Sequence, residues 1–249
     1  MLQATDVWFG YDAAAPVVRG VTLFVPTGGI VGILGPNGSG KTTLLRMLAG
    51  TRQPQRGSVT LDGAPLNRFT RTDLARLMAV VPQETQLAFD YTVAEVAMMG
   101  RYPHLGAFEI EGPADLAVIE ETLTSTGTLQ LKDRLFATLS GGEKQRVAIA
   151  RAFAAGPALV ICDEVTSSLD VSVQAAVIDL LVELRRETGT AYLFISHDIN
   201  LVRQIAHRII VMYRGELVEA ISADDLAARG PSHPYTARLI AAVPTLLAA

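Results

Sequence analysis

Short runs that mix β-branched, aromatic and aliphatic residues with polar ones open the chain: "ATDVWFGYD", "GVTLFV" and "GSVTLDGAPL". Bounded by Gly, Pro and Asp, they predict strands, and Asp62-Gly63 predicts a turn inside the last of them. "GGIVGILG" is apolar without alternation, the pattern of a strand buried on both faces, and it runs straight into a glycine loop. After that loop "KTTLLRMLAG" has the spacing of a helix closed by Gly50. From Val93 to Leu139 the period lengthens. "VAEVAMMGRY" and "ADLAVIEETLTSTG" carry helical spacing, separated by a stretch with Pro103, Gly106, Gly112 and Pro113. The apolar runs "ALVICDE" and "AYLFIS" then predict buried parallel strands, and the helical pattern "VQAAVIDLLVELRRETG" between them completes a βαβ unit. "RIIVMYRGELVEA" predicts a hairpin around Arg214-Gly215, and neither an internal repeat nor a low-complexity tract interrupts the series. The fold class is α/β. A helical subdomain over residues 93–139 is inserted into a core of residues 1–92 and 140–249, all within one domain.

Composition narrows the function classes. A chain of 249 residues supports one large domain. Its net charge of −4 argues against a dedicated nucleic-acid binder, which would show a basic face. The chain has no apolar run long enough to span a bilayer; the tail "LIAAVPTLLAA" is short and broken by Pro244, a packed or frayed end. The start "MLQATDVWFGYD" has neither the basic nor the apolar region of a signal peptide. One cysteine, Cys162, excludes an internal disulfide and fits a reducing compartment. A cytoplasmic protein without direct membrane insertion is expected.

The glycine loop is the first chemistry on the chain. Gly35, Pro36, Asn37, Gly38, Ser39, Gly40, Lys41 and Thr42 match G-x-x-x-x-G-K-[ST] in full, with Thr43 following, a strand before and a helix after. Glycines let backbone N–H groups turn inward around phosphate oxygens, and the helix N-terminus adds a favourable dipole. Lys41 is placed to reach the β- and γ-phosphates, and the Thr42 hydroxyl to bind Mg²⁺. A nucleotide site follows. Asp163 and Glu164 stand at the carboxyl end of a buried strand, the edge where open α/β sheets bind ligands. Adjacent strand residues point opposite ways, so the two carboxylates have different tasks. Asp163 is placed to hold Mg²⁺, and Glu164 to orient or deprotonate an attacking water. Read alone, the pair could equally cap a helix. Cys162 reads as a small buried strand residue.

A second loop, "LSGGEKQ" from Leu139 to Gln145, also opens a helix. Ser140 and Glu143 stand in the S-x-x-E relation of a capping box, which accounts for the helix start but not for Gly141-Gly142. Paired glycines at a helix start suit a backbone approached closely by something, and favour an anion there. This stretch resembles the signature motif of ABC-type ATPases, after "GPNGSGKTT" and before "VICDE" in the order of that family. The resemblance runs over essentially the whole chain and implies a P-loop NTPase fold: a mainly parallel core sheet, an antiparallel β subdomain and the inserted helices. It implies ATP and Mg²⁺ as ligands, and a homodimer with two ATPs sandwiched. The signature residues Ser140, Gly141, Gly142 and Glu143 would close over ATP on the partner's phosphate loop. It further implies integral membrane permease subunits as partners, a place on the inner face of the cell membrane, and no nucleic acid. Tyr11 in "WFGYD" resembles the aromatic that stacks on adenine, against packing in the core. Gln83 in "VVPQE" resembles the glutamine that touches Mg²⁺ or the water, against a surface glutamine after a strand. His197 in "FISHD" resembles the switch histidine on the γ-phosphate; His104, His207 and His233 have no such context and are expected to be structural or superficial. Ser167 to Asp170 resembles the loop that crosses the dimer interface, and Val165 stands where many members have proline.

The resemblance divides along the chain. Residues 1 to about 155, with "FDYTVAEVAMMGRYPHLGAFE", look like ATPases of iron-siderophore, haem and cobalamin importers. From about 156, "CDEVTSSLDVSVQAAVIDLLVEL" and "HPYTARLIAAVP" look like peptide and nickel importer ATPases. An importer ATPase of the first type is therefore expected. The alternatives are a peptide or nickel importer ATPase, and a chimera joined near Ala155 that hydrolyses ATP without coupled transport. A non-transport ABC protein would carry two cassettes or a long coiled-coil insertion, and a GTP switch an N-K-x-D motif; neither is present.

Overall fold

The computed structural model describes residues 1–12, 15–167 and 169–242. The chain begins with β1 (Leu2–Asp12), β2 (Ala15–Val25), β3 (Ile30–Leu34), α1 (Lys41–Leu48), β4 (Arg56–Leu61) and β5 (Ala64–Pro65). Next come α2 (Arg71–Leu77), β6 (Met78–Val81), α3 (Val93–Met98), α4 (Pro113–Ser125), α5 (Gly141–Ala154), β7 (Leu159–Asp163) and α6 (Val171–Thr188). The last third holds β8 (Ala191–Ile195), α7 (Ile199–Ile205), β9 (Arg208–Tyr213), β10 (Glu216–Ser222), α8 (Ala223–Arg229) and α9 (Pro234–Ala241). These elements form two compact units: Met1–Arg68 with the chain from Tyr192 onward, and Phe69–Ala191. No helix among the described residues is long and apolar enough to cross a membrane.

In the first unit β2, β1, β4 and β5 make an antiparallel sheet in that order. The predicted Asp62-Gly63 turn joins its last two strands, with Leu61 opposite Ala64 and both turn residues at positive φ (49° and 79°). This is the conformation that matches strand twist in two-residue hairpins. β2 reaches back to Ala15, longer than "GVTLFV" predicts, because the preceding "APVV" continues the same pairing on β1. The other half of the unit is parallel: β3 lies between β8 and β9, with Ile30 opposite Tyr192 and Val31 opposite Arg208. Every residue of β3 and β8 is buried, as their unbroken apolar sequence requires. β10 returns antiparallel on β9 through the expected Arg214-Gly215 turn.

The second unit pairs β6 and β7 in parallel, Met78 opposite Leu159 through Val81 opposite Cys162. Three of its helices, α3, α4 and α5, share one apolar cluster. Val93, Val96 and Ala97 of α3 and Ile119 and Leu123 of α4 pack with Val147, Ala150 and Ala154 of α5. The helices between 93 and 139 therefore bury their apolar faces on the helix that the second glycine loop opens. α3 stops at Met98, two residues before Gly100, whose missing side chain lets the backbone approach the Arg151 carbonyl. Arg101 donates to Asp115 Oδ1 (2.9 Å) and to the Ala154 carbonyl (2.9 Å), while His104 Nε2 meets the Ala155 carbonyl at 2.8 Å. Together they satisfy carbonyls that the end of α5 leaves open.

Candidate functional site

The phosphate loop leaves β3 and turns into α1 within the first unit. Gly40 N-caps α1 at φ 98°, and a Cβ there would lie 2.7 Å from the Val17 carbonyl oxygen. A Cβ on Gly35 would collide with the Met212 carbonyl. Both positions need glycine for space, and Gly40 for conformation as well. The loop is braced from the β9–β10 turn, where Gly215 N–H donates to the Ser39 carbonyl at 3.1 Å, and the Arg19 N–H to the Gly215 carbonyl at 2.8 Å. Lys41 is 6% exposed, and its Nζ donates to the carbonyls of Gly35 (2.8 Å) and Pro36 (3.1 Å). A cation held by two loop carbonyls closes the ring over its own amides. The Ser39 hydroxyl is buried with no hydrogen-bond partner among the described residues. Asn37, Gly38 and Thr42 are exposed and Thr43 is buried.

Tyr11, at the end of β1, is 55% exposed, so the core-packing alternative does not describe it. Its ring stands edge-on to Phe9 at 5.3 Å. Its hydroxyl lies 3.4 Å from Thr43 Oγ1 and accepts from Arg46 Nη1 at 3.3 Å, which ties the ring to α1 just behind the phosphate loop. The Thr43 hydrogen bond holds the phenol below its ordinary range, against the opposing effect of burial and with help from Arg46 and Arg52. The Arg52 guanidinium sits over this ring at 5.4 Å and over Phe9 at 5.2 Å. Gln55 completes the corner by bonding both the N–H and the C=O of Gly10 at 2.9 Å. Arg46, Arg52 and Gln55 belong to no motif that would mark them in the sequence. His197 is exposed in the loop between β8 and α7. Asp198 beside it caps α7 by accepting from Asn200 and Leu201 N–H.

The carboxylates belong to the second unit. Asp163 is the last residue of β7 and half-buried. Glu164 lies beyond the strand at φ 50°, so strand alternation does not separate the pair. A left-handed residue does, and its carbonyl accepts both the N–H (3.0 Å) and the hydroxyl (2.9 Å) of Ser167. A bulky residue held in this region is strained, a state that clusters at functional sites. Val165 is 3% exposed and simply buries its side chain. Cys162 is fully buried, and burial pushes its thiol far above the ordinary range, so it is inert. Gln83 is exposed beyond β6.

The second glycine loop is a complete capping box. Ser140 N–H and hydroxyl both donate to Glu143 Oε2 at 2.8 Å, and Glu143 N–H returns to Ser140 Oγ at 3.4 Å. Those bonds hold the Glu143 carboxyl below its usual range. A Cβ on Gly142 would lie 2.5 Å from Val173 Cγ1, and one on Gly141 3.3 Å from Leu169 Cδ2. At Gly142 the expected close approach therefore has an intramolecular source, Val173 at the start of α6. Asp170 caps that helix, accepting from Val173 N–H (3.0 Å) and the Ser172 hydroxyl (2.7 Å), which lowers its own pKa. Of the loop from Ser167 to Asp170, Ser168 lies outside the described residues.

The three other histidines are structural. His104 braces α5, His207 Nδ1 accepts from Ile30 N–H at 2.9 Å, and His233 Nδ1 accepts from Tyr235 N–H at the start of α9.

The chain is similar to known proteins. The ABC transporter family matches residues 18–167. The ABC transporter ATP-binding protein YvrA of Bacillus subtilis (strain 168) is 39% identical over 215 residues, which cover 86% of this chain and 48% of YvrA, so the chain spans about half of that relative. The hemin import ATP-binding protein HmuV of Myxococcus xanthus (strain DK1622) is 36% identical over 225 residues, 88% of this chain and 82% of HmuV. The ferric enterobactin transport ATP-binding protein FepC of Escherichia coli (strain K12) is 34% identical over 96% of this chain and 85% of FepC. A Brucella ovis relative named for peptide import is likewise 34% identical over 94% of the chain, so relatives of both types run through Ala155, and a junction there is not shown. Among solved structures, the ATP-binding cassette MJ0796, a post-hydrolysis dimer bound to ADP and Pi, superposes with a TM-score of 0.78 at 28% identity, over 90% of this chain and 99% of that one. On these matches the chain belongs to the ABC transporter family, as one of its ATP-binding domains.

Proposed function

We propose that this chain is the ATP-hydrolysing subunit of an importer for haem, iron-siderophore or cobalamin-like solutes, working as a homodimer beneath membrane permease subunits on the cytoplasmic face. The observation that carries the reading is the phosphate loop, in which glycines at Gly35 and Gly40, a buried orphan hydroxyl at Ser39 and an inward Lys41 fit a polyphosphate. The names of HmuV and FepC support the solute class, and the dimer of MJ0796 supports the assembly.

Within that reading Gly35, Pro36, Asn37, Gly38, Ser39, Gly40 and Thr43 cradle the phosphates by backbone and hydroxyl contacts. Lys41 leaves its two carbonyls for the β- and γ-phosphates, exchanging weak dipoles for full charges. Tyr11 stacks on adenine; Arg52 already covers its ring, so the base takes the opposite face or displaces the guanidinium. Thr42, Gln83 and Asp163 offer hard oxygen donors, the set that suits Mg²⁺, which when bound neutralises charge on the β- and γ-phosphates. Glu164 accepts the proton of the attacking water, and His197 contacts the γ-phosphate. Ser140, Gly141, Gly142 and Glu143, with Asp170 at the same interface, face the nucleotide held by the other copy.

Glu164→Gln tests the assignment. The purified variant is expected to bind ATP and to hydrolyse it about a hundredfold or more slowly, the usual contribution of a general base. Undiminished turnover removes Glu164 from that role. Restored haemin or ferric-siderophore uptake in cells lacking their own such ATPase tests the importer, and restored peptide uptake instead favours the second reading, which the Brucella relative supports.

A further inference from the structure

The first unit contains a cavity of about 640 Å³ lined by His207, Arg208, Ser222, Asp225, Arg229 and the Gly230–Ser232 loop. That size is within the usual range of small-molecule sites. It is separate from the phosphate loop. β3 and β9 run parallel with Val31 opposite Arg208 and Leu34 opposite Val211, so Arg208 sits at the start of β9 and the phosphate loop leaves the far end of β3. At about 3.3 Å per residue the strands alone separate the two by about 10 Å.

The charges in the cavity are unevenly committed. Asp225 is already spoken for: its Oδ2 accepts the Ser222 hydroxyl at 2.7 Å, and its Oδ1 lies 3.7 Å from Arg229 Nε. The side chain of Arg208, which lies directly across the β9–β10 pair from Ser222, makes no hydrogen bond or ion pair among the described residues. Two guanidinium groups therefore line a space containing one carboxylate that is already hydrogen-bonded. The walls are fixed. His207 is fastened to Ile30 through both its backbone N–H and its Nδ1, each at 2.9 Å. Glu219, 6% exposed, accepts the Ser232 N–H (2.6 Å) and hydroxyl (2.9 Å) and so pins the loop opposite. Planar guanidinium forks on a fixed frame are the standard recognition element for oxyanions.

We infer that this cavity is a second anion site, taking a small soluble phosphate or phosphate ester between Arg208 and Arg229. The probe is inorganic phosphate titrated into the full chain saturated with Mg-ADP, and the readout is confined to amides around the cavity, so that phosphate taken up beside ADP is not counted; glycerol phosphate forms a parallel arm. The readout is the backbone amide resonances of Gly230, Ser232 and Ile30. Saturable shifts at these three are expected, with affinity weakened about tenfold or more in Arg208→Gln, the loss of one charge-assisted bond. Arg208→Lys keeps the charge and retains most of the binding, which separates loss of a ligand contact from loss of folding. Tighter binding of glycerol phosphate would identify an ester as the natural occupant, and tighter inorganic phosphate the free ion. Absence of saturable shifts at millimolar phosphate, or shifts unchanged in Arg208→Gln, overturns the proposal. The test stands apart from ATP hydrolysis, because neither arginine belongs to the phosphate loop.

Discussion

Glu164 shows how much of this site depends on single backbone angles. Its side chain follows from the sequence, but its placement follows from φ 50°, which a glutamate adopts only where the surrounding turn enforces it. Ser167 does so by donating twice to the Glu164 carbonyl. Glycine at this position relieves the strain, so Glu164→Gly is expected to raise stability by about 1 kcal/mol, a rise of roughly 2–4 °C in Tm for a chain of this size. Hydrolysis is expected to fall in the same variant. A thermal scan beside an ATPase assay reads both, and a lower Tm would mean that the turn, not the residue, stores the strain. Tyr11 makes a second case. Its ring is half out of the protein while its hydroxyl is held by Thr43 and Arg46, an arrangement that presents an aromatic face at fixed height above α1. Tyr11→Ala is expected to weaken ATP binding by about tenfold through loss of stacking, with Tyr11→Phe close to wild type, measured by nucleotide titration.

At the scale of elements the two glycine loops separate what sequence can and cannot disclose. The phosphate loop is legible because its residues are contiguous and its strand and helix are adjacent. The second loop is legible as a cap, S-x-x-E, and its glycines announce a close approach without saying to what. The answer lies about 30 residues on, at Val173, and no local pattern connects the two. Gly142→Ala is accordingly expected to cost about 1–3 kcal/mol by driving a methyl into Val173. The pair Gly142→Ala with Val173→Ala should recover most of that in a denaturation cycle. Recovered stability without recovered hydrolysis would show that the loop also needs its bare backbone for a ligand. The same helix starts set the response to acid. Asp73, Glu95, Glu143 and Asp170 are all held below the ordinary carboxylate range by cap hydrogen bonds. The unfolded chain therefore binds protons first as pH falls, and the caps' contribution, complete above the unfolded range near pH 4, is lost below it. Replacing Glu143 with Gln should flatten that part of the stability curve, as read by urea midpoints from pH 7 down to pH 3. The short helices α2, α8 and α9 were the least legible, since no adjacent motif or longer apolar repeat marks them as one does for α1 and α3. α2, α8 and α9 carry cap or N1 signatures at Thr70 with Asp73, Ser222 with Asp225 and Pro234, but seven or eight residues are too few to establish a period.

For the whole molecule the decisive arrangement is the second loop's distance in sequence from the first. The chain carries one phosphate loop and one capped glycine helix, and the latter's free end presents Ser140 and Gly141 exposed at a helix start. An exposed helix start with glycine backbone favours an anion. A symmetric pair would supply that anion twice, each copy's loop meeting the nucleotide of the other, as closed two-fold assemblies require. In such a pair neither loop would need to complete its task within one chain. Light scattering of Glu164→Gln with and without Mg-ATP measures this directly, because the variant is expected to hold ATP without consuming it. Monomer without nucleotide and dimer with it are expected, and Ser140→Ala should leave ATP binding intact while weakening the dimer. A nucleotide-independent mass would refute the shared site, and a dimer unaffected by Ser140→Ala would place the contact elsewhere. The two results part cleanly: the first concerns whether ATP joins the copies, the second whether this helix start is where it does so.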